Sequence, residues 1–187
     1  MTAKNPLGYA VMVANPTQFI VVAANAETGK VQFCIFLNNC DVVKASCSIS
    51  FACHPYFING VPYYDGALGD TVPIEKAFSL GCDKVVLIFI KPRNFRRTPD
   101  QDRKLAARIR KKYPLGAAQL EQRAEKYNAG VDLAKRYEEQ GKLLIVAPDD
   151  TFGMDTLTRS QEAMKRFYKN GVQDGEKIAA FWIETFL

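Results

Sequence analysis

Asn59-Gly60 is the strongest constraint this chain places on its own fold. The dipeptide tolerates the positive φ angles of a two-residue hairpin turn, and apolar residues flank it. Val61 to Tyr64 then reads as a short strand, with Pro62 confining it to a sheet edge or to the strand's first positions. Asp65-Gly66 ends that strand. Gly66 has no Cβ, so backbone or ligand can approach closely beside the Asp65 carboxylate. Asp70 or Thr71, followed by Pro73, marks a helix start. A carboxylate at a strand end, ahead of a helix, lies where sites form in open α/β sheets. An Asp-Gly pair taken alone is turn chemistry.

The rest of the chain alternates strands with helices. Phe19 to Ala24 is a buried-strand pattern closed by a turn at Glu27-Thr28-Gly29, and Val31 to Leu37 reads as its hairpin partner. Asp41 is placed as the cap of a helix through Ala45 and Cys47. A helix over about 73–80 is stopped by Gly81 in the left-handed role, and Lys84 to Ile90 reads as a central strand. Leu105, Ile109 and Tyr113 form one stripe of a basic helix that Pro114 breaks. From Leu120 a long amphipathic helix runs to near Gly141, followed by a buried strand over Lys142 to Ala147. Thr158-Arg159-Ser160-Gln161 is a capping box for a helix that Gly171 closes. The expected fold class is α/β, a layered sheet flanked by helices. A core portion spans 6–175, and a C-terminal helix over 176–187 docks on it.

Composition narrows the setting. At 187 residues, 48% apolar and 24% charged, the chain is most simply one domain or a large piece of one. It shows no signal-peptide pattern, and the apolar run Val85 to Ile90 is far too short to span a bilayer. The five cysteines have no paired metal spacing, and His54 is the single histidine, so no metal and no cofactor are expected. Reduced thiols suit a cytoplasmic protein. The net charge of +5 is uneven: residues 91–112 hold ten basic residues against Asp100 and Asp102, a local +8 that leaves the remainder at −3. Arg93, Arg96, Arg97, Arg103 and Lys104 are therefore candidate contacts for an anionic surface, set against the plainer reading of a solvated helix face.

The ordered motifs resemble a known family. They are Val21 to Gly29, Lys44-Ala45-Ser46-Cys47-Ser48-Ile49, Asn59-Gly60, Tyr64-Asp65-Gly66-Ala67 and Asp70 to Ala77. Gly81-Cys82-Asp83 and the Lys84–Ile90 strand follow, then a basic helix and Lys126-Tyr127-Asn128. Together, from about Pro6 to Gly175, they resemble the C-terminal half of a bacterial patatin-like phospholipase. The resemblance implies a serine–aspartate dyad acting on an acyl ester or phospholipid. The family's Asp-Gly-Gly/Ala aspartate falls on Asp65, with Gly66 and Ala67 shaping the turn. A carboxylate so placed takes the serine proton directly during acyl transfer.

The sequence departs from that pattern in one respect. It contains no G-x-S-x-G, and its serines (Ser46, Ser48, Ser50, Ser79 and Ser160) lie on no glycine elbow. No glycine cluster offers the successive backbone N–H groups of an oxyanion hole. Asn25 stands where the family commonly has Asp. The sequence is therefore expected to hold half of an active site, its nucleophile and oxyanion loop lying outside it. A chain lacking those strands is expected to self-associate or to pair with its missing N-terminal half. The alternative is a non-catalytic remnant or binding module whose 91–112 segment contacts anionic membrane or a protein partner. That gives a cytoplasmic protein with peripheral membrane contact. No nucleic-acid-binding motif accompanies the charge, so nucleic acid is not an expected partner.

Overall fold

The computed structural model describes residues 8–35, 40–50, 52–155 and 158–183. In chain order these form α1 (Tyr9–Ala14), β1 (Ile20–Asn25), β2 (Val31–Ile35), α2 (Asp41–Ser46), β3 (Tyr56–Ile58) and β4 (Val61–Asp65). A 3-10 turn (Gly66–Leu68) follows, then α3 (Ile74–Ser79), β5 (Val85–Ile88), α4 (Pro99–Ile109), α5 (Pro114–Glu139), β6 (Leu143–Val146) and α6 (Gln161–Ile183). The protein is mixed α/β, with a four-stranded antiparallel sheet and a two-stranded parallel sheet. These belong to two compact units, residues 1–71 with 98–126 and residues 72–97 with 127–187.

In the first unit the hairpin signal is realised as expected. Asn59 and Gly60 take φ of 50° and 79°, and Ile58 pairs with Val61. The strand order is β2-β1-β4-β3, so β4 is an interior strand. Pro62 is tolerated there because it is the strand's second residue, where the β1 ladder is ending. Its carbonyl still accepts from the Ala26 N–H at 2.9 Å. Tyr64 projects into a core with Leu68, Ile109, Tyr113 and Leu120, and meets the Tyr113 ring edge-on at 6.0 Å between centroids. Leu120 is fully buried, a contribution of roughly 1.5–3 kcal/mol by transfer energetics. Asp102 of α4 is 0% exposed and pairs with Arg123 of α5, which is itself buried.

Several local readings are corrected. Asp41 is the first residue of α2, not its cap, and its carboxylate bonds Lys44 and Tyr56 instead. Pro114 opens α5 instead of simply ending the preceding helix, since a proline at a first helical position lacks only an N–H that would go unused. Helix α3 begins at Ile74, with Pro73 in the cap position in place of Asp70 or Thr71.

In the second unit β5 and β6 pair in parallel, Val85 with Leu143 through Ile88 with Val146. The expected central strand is thus one of two strands of this sheet among the described residues, and Ile88 is 66% exposed. On β6, Glu138 of α5 accepts from the Ile145 N–H at 2.9 Å and so satisfies a backbone donor outside the ladder. Val72, Ile74, Ala134, Leu143 and Ile145 form the buried cluster, and Phe78 packs on Tyr137 at 4.4 Å. Ser160, not Thr158, caps α6, its hydroxyl accepting from the Ala163 N–H at 3.3 Å. The helix continues through Gly171 and Gly175, so residues 175 and 176 lie within one element. No helix among the described residues is long and apolar enough to cross a membrane.

Candidate functional site

Asp65 is the last residue of β4, opposite Ala23 of β1, and its backbone N–H donates to the Ser48 carbonyl at 2.9 Å. The chain then tightens into the 3-10 turn. The Ala67 N–H donates to Asp65 Oδ1 at 2.9 Å, so the carboxylate caps the turn as an N-cap side chain does. That bond fixes the side-chain rotamer. Oδ2 has no hydrogen-bond partner among the described residues, and Asp65 is only half-buried.

Of the two approaches expected at Gly66, backbone or ligand, the structure shows the backbone one. A Cβ built on it would stand 2.5 Å from the Val22 carbonyl oxygen and 2.6 Å from Val22 Cγ1. The missing side chain accommodates the protein's own β1, not an incoming ligand. Ala67 is half-buried, and its N–H is the group that holds Asp65.

The side chains near the exit of α2 are occupied structurally. Ser48 is buried and its hydroxyl donates to the Lys44 carbonyl at 2.9 Å. Cys47, Cys53 and His54 are exposed. Asn25 accepts from the Glu27 and Thr28 N–H groups at 2.9 Å each, so its amide oxygen is spent on the turn after β1. A polar cluster that the sequence reading missed joins α2 to β3. The Tyr56 hydroxyl donates to Asp41 Oδ1 at 2.7 Å, and the Lys44 ammonium reaches the same oxygen at 3.0 Å and Tyr56 Oη at 3.2 Å. These partners, Asp41 first, push the Lys44 pKa up. The Asp41-Lys44 spacing was a usable signal; Tyr56, fifteen residues from Asp41, was not.

The basic segment is divided between the two units. In the second, Arg93 pairs with Glu138 through both terminal guanidinium nitrogens, and Arg96 pairs with Asp132 and donates to the Asn128 carbonyl. The Arg96 guanidinium holds the Asp132 carboxyl below the usual carboxylate range. Arg97 is half-buried, its backbone clasped by the Asn128 amide at 2.9 and 3.0 Å. Tyr127 lies near the rings of Phe89 and Phe95, and burial pushes its pKa up. In the first unit, Lys126 donates to the Gly69 carbonyl just beyond the 3-10 turn, and Arg110 pairs with Glu121. Arg103 and Lys104 are exposed on α4, with no ion-pair partner among the described residues. No cluster of three or more His, Cys, Asp or Glu side chains able to hold a metal occurs among the described residues.

Residues 113–186 match a family described as a domain of unknown function, DUF6363. The match takes in α5, β6 and α6 and leaves Asp65 outside it. No curated protein matches the chain.

Proposed function

We propose that this chain is part of a patatin-like acyl-ester hydrolase, in which Asp65 supplies the carboxylate of a serine–aspartate dyad. The observation that carries the reading is the geometry of that carboxylate: Oδ1 is held by the Ala67 N–H, while Oδ2 has no hydrogen-bond partner among the described residues. These 187 residues contain no G-x-S-x-G, so the reading takes the serine and the oxyanion donors from another part of the hydrolase. The serine Oγ attacks the ester carbonyl carbon as its proton passes to Asp65 Oδ2. The tetrahedral intermediate then expels the alcohol, which takes that proton. Water then attacks the acyl-serine carbon as its proton passes to Asp65; the C–Oγ bond breaks, Oγ takes that proton back, and the carboxylic acid is released. No cofactor enters this chemistry. An acyl-ester or phospholipid substrate and a cytoplasmic, membrane-peripheral setting follow from the same reading.

The test is hydrolysis of a short acyl ester by the protein together with its G-x-S-x-G segment. Asp65→Asn keeps the oxygen that accepts from Ala67, so the fold and melting temperature should be preserved while turnover falls about 10²–10⁴-fold. Full activity in the folded variant would refute the role.

A second reading, a binding module for anionic membrane, has its own support in α4, where Arg103 and Lys104 are exposed and have no ion-pair partner among the described residues. Co-sedimentation with vesicles containing phosphatidylserine tests it. Binding at low salt that Arg103→Ala/Lys104→Ala weakens would favour it, and no binding at low salt would exclude it.

A further inference from the structure

Beyond the carboxyl ends of β5 and β6 the second unit holds a cavity of about 150 Å³. Its walls are Ile88, Ile90, Pro148, Phe167 and Ile178, and Asp174 is the single charged residue at its edge. That carboxylate is already paired with Lys177 at 2.8 Å. The floor is α6, at Gly171 and Gly175. Glycine is the poorest helix former after proline, so two of them inside a 23-residue helix need a reason. Packing among the described residues does not provide one: a Cβ on either residue would meet nothing within 4 Å. Both line the cavity. Its position also matches the place where open parallel sheets bind ligands, outside the carboxyl ends of neighbouring strands.

We infer that this cavity is a binding site for a short alkyl group of about six carbons, as at the end of a single-chain amphiphile. Three features select that occupant over a polar one. The walls offer aliphatic and aromatic carbon, the one carboxylate has a partner, and a volume of about 150 Å³ matches that of a six-carbon group. The exposed Ile88 and Ile90 extend the apolar surface at the strand ends and would cover the part of the chain nearest the opening. The site does not depend on Asp65 or on ester hydrolysis, and its test uses neither.

The full chain, labelled at isoleucine δ1-methyl groups, is titrated with hexan-1-ol and followed by NMR. Saturable millimolar binding is expected to shift Ile88, Ile90 and Ile178 and leave Ile20 and Ile74 unmoved. Gly175→Leu fills the floor with a better helix former, so it should weaken binding at least about tenfold while the melting temperature is held or raised. Shifts that do not saturate, or that reach Ile20 and Ile74 equally, would overturn the inference. So would unchanged affinity in folded Gly175→Leu. If that variant does not fold, Gly171→Ala and the wild-type titration decide the question by the same criteria.

Discussion

Asp102 and Arg123 offer the sharpest test of what holds the first unit together. Asp102 is 0% exposed, and the Arg123 side chain is 10% exposed. The guanidinium reaches the same carboxylate oxygen through Nε, at 3.1 Å, and through Nη2. Asp102→Ala leaves a guanidinium buried without its counter-charge, which costs about 3–5 kcal/mol. For a unit of this size that is a fall of tens of degrees in melting temperature, at about 4–8 °C per kcal/mol. Arg123→Met takes this guanidinium away from the buried carboxylate and should also be clearly destabilising. The double variant Asp102→Leu/Arg123→Met removes both charges and both desolvation costs, so it should lie close to the wild type or above it. Urea unfolding of the four proteins in a double-mutant cycle gives the coupling directly. A loss below about 1 kcal/mol in Asp102→Ala, or a double variant as unstable as the singles combined, would refute the reasoning.

Two further predictions concern the β1–β4 junction. Gly66→Ala places a methyl group 2.5 Å from the Val22 carbonyl oxygen, against backbone that cannot easily give way. It should destabilise by about 1–3 kcal/mol or more, seen as a lower urea midpoint with unchanged slope. Tyr64, buried in the core, has its phenol pKa pushed up by burial first and by Tyr113 next. The unfolded chain loses that proton near pH 10 while the folded one keeps it, so stability is fully present below about pH 10 and falls as pH rises beyond it. A melting-temperature profile should decline more steeply there than that of Tyr64→Phe; identical slopes would refute the assignment.

The sequence was most informative where local chemistry decides structure. Asn59-Gly60 admits few alternatives, so β3, the turn and β4 were readable, and so was the placing of Asp65 at a strand end. Gly29 and Gly81 likewise take the positive φ of their turns, 68° and 88°. Readings failed where packing outweighs local preference. Pro114 and Gly171 read locally as helix boundaries, yet a proline is harmless at a helix start, and a helical glycine costs only about 1 kcal/mol. The Lys84–Ile90 run had the composition of a strand covered on both sides, and composition could not reveal that it has one strand neighbour.

The candidate site was legible in its carboxylate but not in its surroundings. The glycine beside Asp65 was visible, whereas the reason for it, the approach of Val22, depends on sheet order. Asp102 looked like a minor acid within a basic run, and its pairing with Arg123, twenty-one residues on, could not be read from spacing. Arg93 and Arg96 looked free for an external anion, while Glu138 and Asp132 compete for their charge.

The central claim is that Asp65 acts as the base for a serine, and reaction of that serine with a fluorophosphonate tests it most directly. Mixed with the G-x-S-x-G segment, the wild-type chain should support stoichiometric labelling, and Asp65→Asn should slow it about 10²–10⁴-fold with the fold unchanged. Labelling at the wild-type rate in Asp65→Asn would contradict the account.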